Sequence, residues 1–360
     1  MASIKDVANK AGVSISTVSN VISGTKFVSP ELTKKVTDAV TALNFKINPM
    51  ARGVKTGKSH TIGVITADIS GLFYPYVIKG ICEIANLNNY SVTIMDAGVA
   101  YNSAQNEERE SACFKSLFSN RVDGIIFASS FEESSEYKLL DELQSQTNLF
   151  KQVALLSIER DLSHLGIDSI FYCNVGGAEK AVRHLLECGC KQVVHIAGPF
   201  GAPVVQDRIR GYLSTLQSAG YSENPEMIAY GDYGHQSGFF AMEQLLSAYP
   251  DLDGVFVAND QMAMGAYKAL QKHGRNIPDD VKVIGFDDVF ISNLVIPSLS
   301  SVHVRKKHMG IRAAQALINR IDGFYSGSMQ DVFREELETA LIVRESTLGN
   351  KYEEANSLEW

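Results

Sequence analysis

The stretch IKDVANKAGVSISTVSNVISG, residues 4–24, predicts two short helices joined by a tight turn. Apolar residues recur in it at helical spacing, in one run before Gly12 and in a second run that ends at Gly24. Ser3 and Asp6 suit the cap and the first turn of the leading helix. Two helices around a glycine-containing turn are typical of a helix-turn-helix module, whose second helix enters the major groove of DNA.

A third helix is predicted directly downstream. Ser29 suits its N-cap and Pro30 its first helical position. Apolar residues at helical spacing would then pack against the first two helices: Leu32, Val36, Ala39, Val40 and Leu43. The aromatic residues of the first sixty positions are Phe27 and Phe45 alone, which disfavours stacking on single-stranded bases. Duplex DNA is therefore the partner that this segment favours.

The charge of the chain is divided unevenly between this segment and the rest. Residues 1–60 hold nine lysines and arginines against three acids, a net charge of +6. The whole chain of 360 residues carries -8, so the remainder carries -14. A basic module on an acidic body indicates binding to a nucleic acid or another anionic surface, although a solvated basic face without a partner has the same composition.

Composition also excludes several classes of protein. No apolar run approaches the roughly 18 residues of a membrane span, so we expect no membrane association. The first residues carry no apolar signal-peptide core, and the odd number of cysteines, five, suits reduced thiols in a core. We therefore expect a cytoplasmic protein without disulfides.

From residue 61 onward, short apolar strands alternate with amphipathic helices. Continuous apolar strands with helical crossovers predict an α/β body of parallel sheets that are covered on both faces, and the strands are too numerous for one unit, so two lobes are expected. The body shows no GxGxxG after a strand, no GxSxG, no HExxH and no zinc-ligand spacing. We expect no catalytic residue, no metal and no cofactor. A sugar-transport protein and an α/β enzyme are the rival classes; the first should lack a basic headpiece and the second should carry such a fingerprint.

Residues 4–24, together with VSPELTKKVTDAVTALNFKINPMARGVKTGKSHTIGVI at residues 28–65, closely resemble the lactose-repressor (LacI/GalR) family of bacterial transcription regulators. The resemblance extends from about residue 3 to about residue 346. It implies an all-α headpiece, a hinge helix that folds in the minor groove, and a two-lobed core of periplasmic-binding-protein type. The expected parts are a headpiece at 1–46, a hinge and linker at 47–60, an effector-binding and dimerisation core at 61–346, and a flexible tail at 347–360. Within the core, lobe 1 is expected at about 61–160 and 290–322, and lobe 2 at about 161–289 and 323–346.

The resemblance also implies which headpiece residues contact DNA. Base edges would be read by Ile15, Ser16 and Asn20, and phosphates would be bound by Ser14, Thr17 and Ser19, unless those three only cap or solvate the helix. The family usually has arginine where this chain has Asn20, and asparagine pairs better with adenine than with guanine. In the hinge, Arg52 and Val54 are the expected contacts. Val54 replaces the family's leucine wedge, which leaves the wedge itself open.

Ligands of open parallel sheets bind at the carboxyl ends of the strands, where this chain places aromatic, amide and charged residues. Such a mixture suits a sugar-like ligand. The family's effector positions correspond to Phe73, Tyr74, Glu159, Arg208, Tyr233, Asn259 and Asp287. Phe73 has an alternative interpretation as a core aromatic, and the neighbouring Asp260 and Asp288 as helix caps.

Two further features bear on the effector. Arg305, Lys306 and Lys307 form a basic cluster where the family is usually neutral or aromatic, which predicts a solvated helix start, an anionic effector such as a sugar phosphate, or contacts with an anionic protein partner. The family's second-lobe contact appears here as Cys173-Asn174 and stays open. The resemblance implies a homodimeric repressor of carbohydrate-utilisation genes that binds a palindromic double-stranded operator and responds to a small sugar or sugar phosphate. The alternative is a catabolite-control regulator whose corepressor is the phosphorylated carrier protein HPr.

Overall fold

The structure is a computed structural model in which the chain divides into two compact units, Met1–Ser59 and His60–Trp360. The residues it describes are 2–23, 26–45, 58–98, 103–128, 153–221, 224–327 and 331–349. The hinge contacts predicted at Arg52 and Val54 lie outside these ranges, as does residue 350 onward in the predicted tail. Within the described ranges, no helix is both long enough and apolar enough to cross a membrane.

The first unit contains the three helices that the sequence predicts: α1 (Ile4–Ala11), α2 (Ile15–Ser23) and α3 (Pro30–Ala42). Ser3 and Asp6 form a reciprocal capping box at the start of α1, and Gly12 adopts the left-handed conformation at its end. Ser29 caps α3 with Pro30 in its first turn. The buried residues that join the helices are Val7, Ala8, Val18, Val36 and Ala39. This small core fixes which face of α2 points outward.

The second unit alternates strands and helices as predicted. Its strands are β1 (Thr61–Thr66), β2 (Ser91–Asp96), β3 (Gly124–Ala128), β4 (Ala154–Ile158), β5 (Asp168–Tyr172), β6 (Val193–Ala197), β7 (Ile228–Tyr230), β8 (Gly254–Val257), β9 (Lys282–Asp287), β10 (Ser300–His303), β11 (Arg334–Leu337) and β12 (Ala340–Ile342). Its helices are α4 (Tyr74–Leu87), α5 (Ser103–Ser119), α6 (Asn174–Glu187), α7 (Pro203–Ser218), α8 (His235–Ala248), α9 (Asp260–Lys272), α10 (Lys306–Ser326) and α11 (Glu345–Leu348).

These strands form two six-stranded sheets. One has the order β11-β5-β4-β3-β1-β2 and the other β12-β10-β9-β8-β6-β7. All paired strands run parallel except β12, which is antiparallel to β10. Central strands such as β3 and β6 are buried along their whole length, because helices cover both faces. The predicted fold class, an α/β two-lobed core with an all-α headpiece, is confirmed.

The chain passes between the two lobes at places other than those expected. The first sheet includes β5, so the first crossing lies at residue 173 and not near 160. The second sheet includes β10, so the next crossing lies between residues 303 and 306 and not near 290. β11 returns to the first sheet, which puts the last crossing between residues 337 and 340 and not near 322. Strand pairing decides where the chain passes between the lobes. Pairing between distant residues, such as Arg334 and Ser169, cannot be read from the sequence around either residue.

Helix α10 packs closely against α4 in lobe 1. A Cβ built on Gly80 would lie 2.2 Å from the carbonyl oxygen of Lys307, and one on Gly310 would lie 2.0 Å from that of Val77. Only glycine permits this contact. It brings the first turns of α4 and α10 together, and both turns lie next to the site described below.

The five cysteines are free thiols, as predicted. Cys113 and Cys190 are buried and the other three are half-buried.

Candidate functional site

A cleft in the second unit collects side chains from the carboxyl ends of strands in both sheets. The seven residues that the family resemblance placed at an effector site all line it: Phe73, Tyr74, Glu159, Arg208, Tyr233, Asn259 and Asp287. Phe73 and Tyr74 follow β1, Glu159 follows β4, and Asp287 ends β9. Parallel strands bring their carboxyl ends to one edge, which explains why residues so distant in sequence meet here.

The lobe 1 side of the cleft is an aromatic pair joined to a carboxylate. The phenol of Tyr74 donates a hydrogen bond to Oε2 of Glu159. The rings of Phe73 and Tyr74 meet edge to face with 5.2 Å between centroids. Both rings also pack against the main core cluster while lining the cleft, so Phe73 belongs to the core, and its contact with an effector stays a prediction.

Burial raises the pKa of Glu159 to about 7, although the Tyr74 hydrogen bond and the positive charge of Arg208 oppose the rise. Glu159 also has a left-handed backbone, with φ of 67°. A carboxyl group with this pKa can act as a hydrogen-bond acceptor or as a donor near neutral pH. A strained residue beside a cleft is typical of a ligand contact.

The lobe 2 side of the cleft is organised around Arg208, which extends from α7 and is 5% exposed. Its Nε donates to Oδ1 of Asn174 at 3.1 Å, and its Nη1 donates to the carbonyl oxygen of Ala258 at 2.5 Å. The guanidinium lies 3.8 Å from the centroid of Phe286. Asp287 is 4.0 Å away from Nη2, an ion pair looser than a hydrogen bond. Arg208 and Asp287 thus form a loose charge pair, and Arg208 is held chiefly by its other neighbours.

Asp287 is the acidic member of that pair. It is 7% exposed, and burial raises its pKa, while the nearby positive charges of Arg208 and Lys306 oppose the rise. Its backbone φ is 95° and that of Asp288 is 52°. Two successive left-handed residues without a glycine need strong tertiary support.

Tyr233 and Asn259 complete the predicted set. The side-chain amide of Asn259 donates to the carbonyl oxygen of Tyr233 at 3.1 Å, and its Oδ1 caps α9 by accepting from the amide of Met262. Tyr233 has φ of 69°, and its ring lies against Gly198, where a Cβ would be 2.6 Å from ring atoms. Gly198 therefore leaves room for the ring that lines the cleft.

The cleft also includes residues that were not predicted from the sequence. Phe200 and Gln261 line it, and Phe200 is largely exposed at its edge. Phe200 follows β6 in the segment GPFGAP, so the rule of strand carboxyl ends would have found it. Asn174, the residue left open by the sequence, is buried and holds Arg208.

Two sequence interpretations are corrected nearby. Asp260 is not a helix cap, because Asn259 has that role. Asp260 is fully buried and accepts hydrogen bonds from the hydroxyls of Ser292 and Ser301 and from the amide of Val289. Burial raises its pKa to about 7. It ties α9 to the segment that follows Asp287.

Lys306 is not part of a solvated helix start. It is 7% exposed, and its ammonium donates to carbonyl oxygens. Lys307 does lie at the surface, where it pairs with Glu83 at 2.7 Å. Asp288 is not a cap either: it is buried, with a hydrogen bond of 2.8 Å to the ring of His303 and an ion pair of 2.7 Å to Arg344.

In the first unit, α2 presents a polar face away from its core. Ser14, Ile15 and Ser16 are exposed, while Thr17, Ser19 and Asn20 are half-buried. The Oγ of Ser14 accepts from the amide of Thr17 at 3.1 Å and lies 2.8 Å from its hydroxyl, so Ser14 caps α2 whatever else it contacts. Ile15 is 48% exposed at the start of the helix.

A cluster of acidic, histidine or cysteine side chains able to hold a metal ion does not occur in the described ranges.

A helix-turn-helix unit combined with a two-lobed, cleft-bearing core defines a ligand-controlled DNA-binding regulator. Residues 3–48 match the lacI family of bacterial regulatory proteins, and residues 182–347 match a periplasmic binding protein-like domain. The chain is 30% identical to the ribose operon repressor of Halalkalibacterium halodurans over 354 residues, covering 98% of this chain and 99% of that protein. The chain belongs to the lacI family. That family consists of DNA-binding transcription regulators, so the chain is a regulator and not an enzyme.

Other relatives show how widely the family shares this architecture. Catabolite control protein A of Priestia megaterium is 34% identical over 300 residues, which cover 83% of this chain and 86% of that protein. The crystal structure of the Lac repressor bound to ONPG in the repressed state superposes with a TM-score of 0.81 at 26% identity, covering 96% of this chain and 99% of that one.

Proposed function

We propose that this regulator is a homodimeric repressor of carbohydrate-utilisation genes, controlled by a neutral sugar-like effector in the cleft between the lobes. The observation that carries the proposal is the cleft, where aromatic rings and ionisable groups from both sheets line one cavity. The ribose operon repressor among its relatives supports the same ligand class. The headpiece at 1–46 and the hinge at 47–60 would bind the operator, and the core at 61–346 would bind effector and dimerise.

The chemistry of the lining favours a sugar. The rings of Phe73, Tyr74 and Tyr233 offer apolar faces that can stack on the C–H face of a pyranose or furanose. Glu159 and Asp287 can accept hydrogen bonds from vicinal hydroxyls, and Asn259 can orient them. The site therefore combines the two kinds of surface that a sugar presents.

The charges favour a neutral sugar over a sugar phosphate. Among the described residues, the lining of the cleft includes three carboxyl groups, of Asp68, Glu159 and Asp287, and two guanidinium groups, of Arg160 and Arg208. Arg208 is engaged by Asn174, Ala258 and Asp287. The ammonium of Lys306 is buried on carbonyl oxygens. A phosphate would meet more acidic than available basic groups, and its desolvation would not be repaid.

On the DNA side, the buried Val18 turns the opposite face of α2 outward, and that face carries Ser16 and Asn20, while Ile15 is exposed at the first residue of the helix. A two-fold dimer would place two such helices on a palindromic operator. Because residues 1–60 carry +6, we expect operator affinity to fall steeply with salt.

Selection from a random library of palindromic duplexes tests the DNA part. The wild-type chain should select adenine at one base pair of each half-site, Asn20→Ala should lose that preference, and Asn20→Arg should move it to guanine. Selection of guanine by the wild type, lost on Asn20→Ala, would refute the base contact. If no palindromic sequence is selected, the proposal that a homodimer binds a palindromic operator is refuted.

Calorimetric titration of the full chain tests the effector part. D-ribose, D-glucose and cellobiose form the neutral arm, and D-ribose 5-phosphate forms the anionic arm. Binding in the neutral arm, lost in Arg208→Met, supports the proposal, whereas binding of the phosphate alone contradicts it. The relative named catabolite control protein A motivates a third arm with phosphorylated HPr; capture of HPr with no sugar binding would favour the catabolite-control alternative.

A further inference from the structure

Lys306 is the first residue of α10 and follows the crossing from the second sheet back to the first. Its ammonium donates to the carbonyl oxygens of Asp287, Asp288 and Val304 at 2.5, 3.0 and 3.3 Å. An ammonium has three hydrogens, and three acceptors surround it. The side chain is thus satisfied within the protein, and it does not appear among the described residues that line the cleft.

Two of its acceptors belong to the strained turn that carries a cleft residue. Asp287 and Asp288 have φ values of 95° and 52°, a conformation that non-glycine residues seldom hold without support. The amide of Asp288 donates to Oγ of Ser301 at 3.0 Å, and the amide of Val289 donates to Asp260 at 2.8 Å. These contacts bind the backbone amides of Asp288 and Val289, whereas Lys306 binds the carbonyl oxygens of Asp287 and Asp288.

We propose that Lys306 is a positioning residue for the effector site, which it serves by fixing the Asp287–Asp288 turn so that the Asp287 carboxylate faces the cleft. The inference rests on the proposed function for the ligand contact, but the fixing of the turn is a property of the free protein. Lys306 belongs to a lobe 1 helix and Asp287 to a lobe 2 strand. The lysine therefore ties the orientation of a lobe 2 ligand contact to the crossing between the lobes.

The charged and titratable groups around the Lys306 ammonium indicate how its removal would change the protonation of Asp287. Asp287 and Asp288 lie on the turn, Asp260 faces it from α9, and the ring of Tyr76 on α4 lies 6.0 Å away. Arg208, from α7, faces the same Asp287 carboxylate. Arg208 and Lys306 are the two positive charges that lower the pKa of Asp287, so removal of the ammonium should let the carboxylate protonate at higher pH.

The test compares Lys306→Met with Lys307→Met, whose native lysine is the exposed neighbour paired with Glu83. Hydrogen exchange of the free full-length chain is followed by mass spectrometry over residues 286–292. In Lys306→Met we expect the amides of Asp288 and Val289 to exchange about tenfold faster, with wild-type exchange in Lys307→Met. Unchanged exchange in Lys306→Met overturns the proposal whatever ligand the protein binds.

The second readout is the affinity for the neutral sugar found by titration, measured against pH. Lys306→Met should bind it about tenfold more weakly and should lose binding on the acid side at a higher pH than the wild type, while operator binding without sugar is retained. A loss of affinity that is equal at every pH indicates loosened packing and counts against positioning. Should no sugar bind the wild type, the proposed function fails, and the exchange rates still decide the role of Lys306.

Lys306→Gln guards against a misfolded methionine variant, because its amide can still donate to two carbonyl oxygens. We expect exchange rates between those of the wild type and Lys306→Met. Because the amide carries no charge, sugar binding should again be lost on the acid side at a higher pH than in the wild type. Wild-type exchange and a wild-type pH profile in this variant overturn the proposal.

Discussion

Nε of Arg208 donates a hydrogen bond to Oδ1 of Asn174 at 3.1 Å, so the residue that opens lobe 2 after the first crossing holds the buried cation of the cleft. The side-chain Nδ2 of Asn174 in turn donates to the carbonyl oxygen of Tyr172 at 3.2 Å. Asn174 thereby joins the end of a lobe 1 strand to a lobe 2 side chain that faces the ligand.

Asn174→Ala should therefore weaken effector binding by about tenfold, because the guanidinium loses a charge-assisted hydrogen bond and its orientation. Calorimetry with the neutral sugar that binds the wild type measures the effect. Asn86→Ala, on the exposed face of α4, is the matched control and should bind normally. Equal affinity of Asn174→Ala and wild type would show that Arg208 is oriented without Asn174.

Glu159 should make effector binding depend on pH. Burial raises the pKa of its carboxyl group to about 7, so the group becomes ionised as the pH rises through that value. An ionised carboxylate accepts stronger hydrogen bonds from ligand hydroxyls, and affinity should rise across this interval in the wild type. Glu159→Gln should bind more weakly and with a flatter pH profile.

The exposed Glu226 provides the control for that experiment, since Glu226→Gln should keep the wild-type profile. A wild-type affinity that is constant from about pH 6 to about pH 8 would contradict the role assigned to Glu159.

Asp260 should make the core less stable as the pH rises, whereas effector binding through Glu159 should become tighter. Burial raises its pKa to about 7 from an ordinary value of 3.8. The folded chain holds a proton that the unfolded chain releases above about pH 4, so this contribution to the free energy of unfolding is complete below that pH and is lost as the pH rises to about 7. Asp260→Asn keeps a neutral group in place and should reduce the slope.

Urea unfolding at about pH 5, 6 and 7 measures that slope, and we expect the variant to change the difference between the extremes by about 1–2 kcal/mol. Asp279→Asn, at an exposed position, should leave the slope unaltered. Identical slopes for Asp260→Asn and wild type would mean that the Asp260 carboxylate is ionised throughout.

Ser14 offers a way to separate capping from phosphate binding. Its Oγ accepts from the amide of Thr17, and aspartate caps helices as well as serine does. Ser14→Asp should thus keep the thermal stability of the headpiece but weaken operator binding, because its carboxylate repels phosphate. Ser14→Ala should lose about 1 kcal/mol of stability as well. Operator affinity of Ser14→Asp at the wild-type level would leave Ser14 with capping alone.

Local patterns in the sequence foretold much of the molecule. Helical spacing, Gly12 and the Ser3 and Ser29 caps predict the three headpiece helices nearly to the residue, because each signal acts within one or two turns. Continuous apolar strands separated by amphipathic helices predict the α/β core for the same reason. The cleft residues were predicted from the family resemblance and from the rule that ligands bind at the carboxyl ends of strands. That rule could also have predicted Phe200, which follows β6, whereas the sequence left the role of Asn174 undecided.

What remained for the tertiary structure to decide depends on contacts between distant segments. Sheet membership of β5, β10 and β11 follows from pairing across the chain, and a one-dimensional pattern contains no register for such pairs. Lys306 has the sequence signature of a surface lysine, but in the fold its ammonium is buried against the carbonyl oxygens of Asp287 and Asp288, which come from a distant strand end. The left-handed backbones of Glu159, Tyr233 and Asp287 are likewise unfavourable locally and persist because the folded surroundings compensate for them. Short-range energies select helices and strands, whereas the cleft is a product of long-range packing that acts on residues with no local signal of their own.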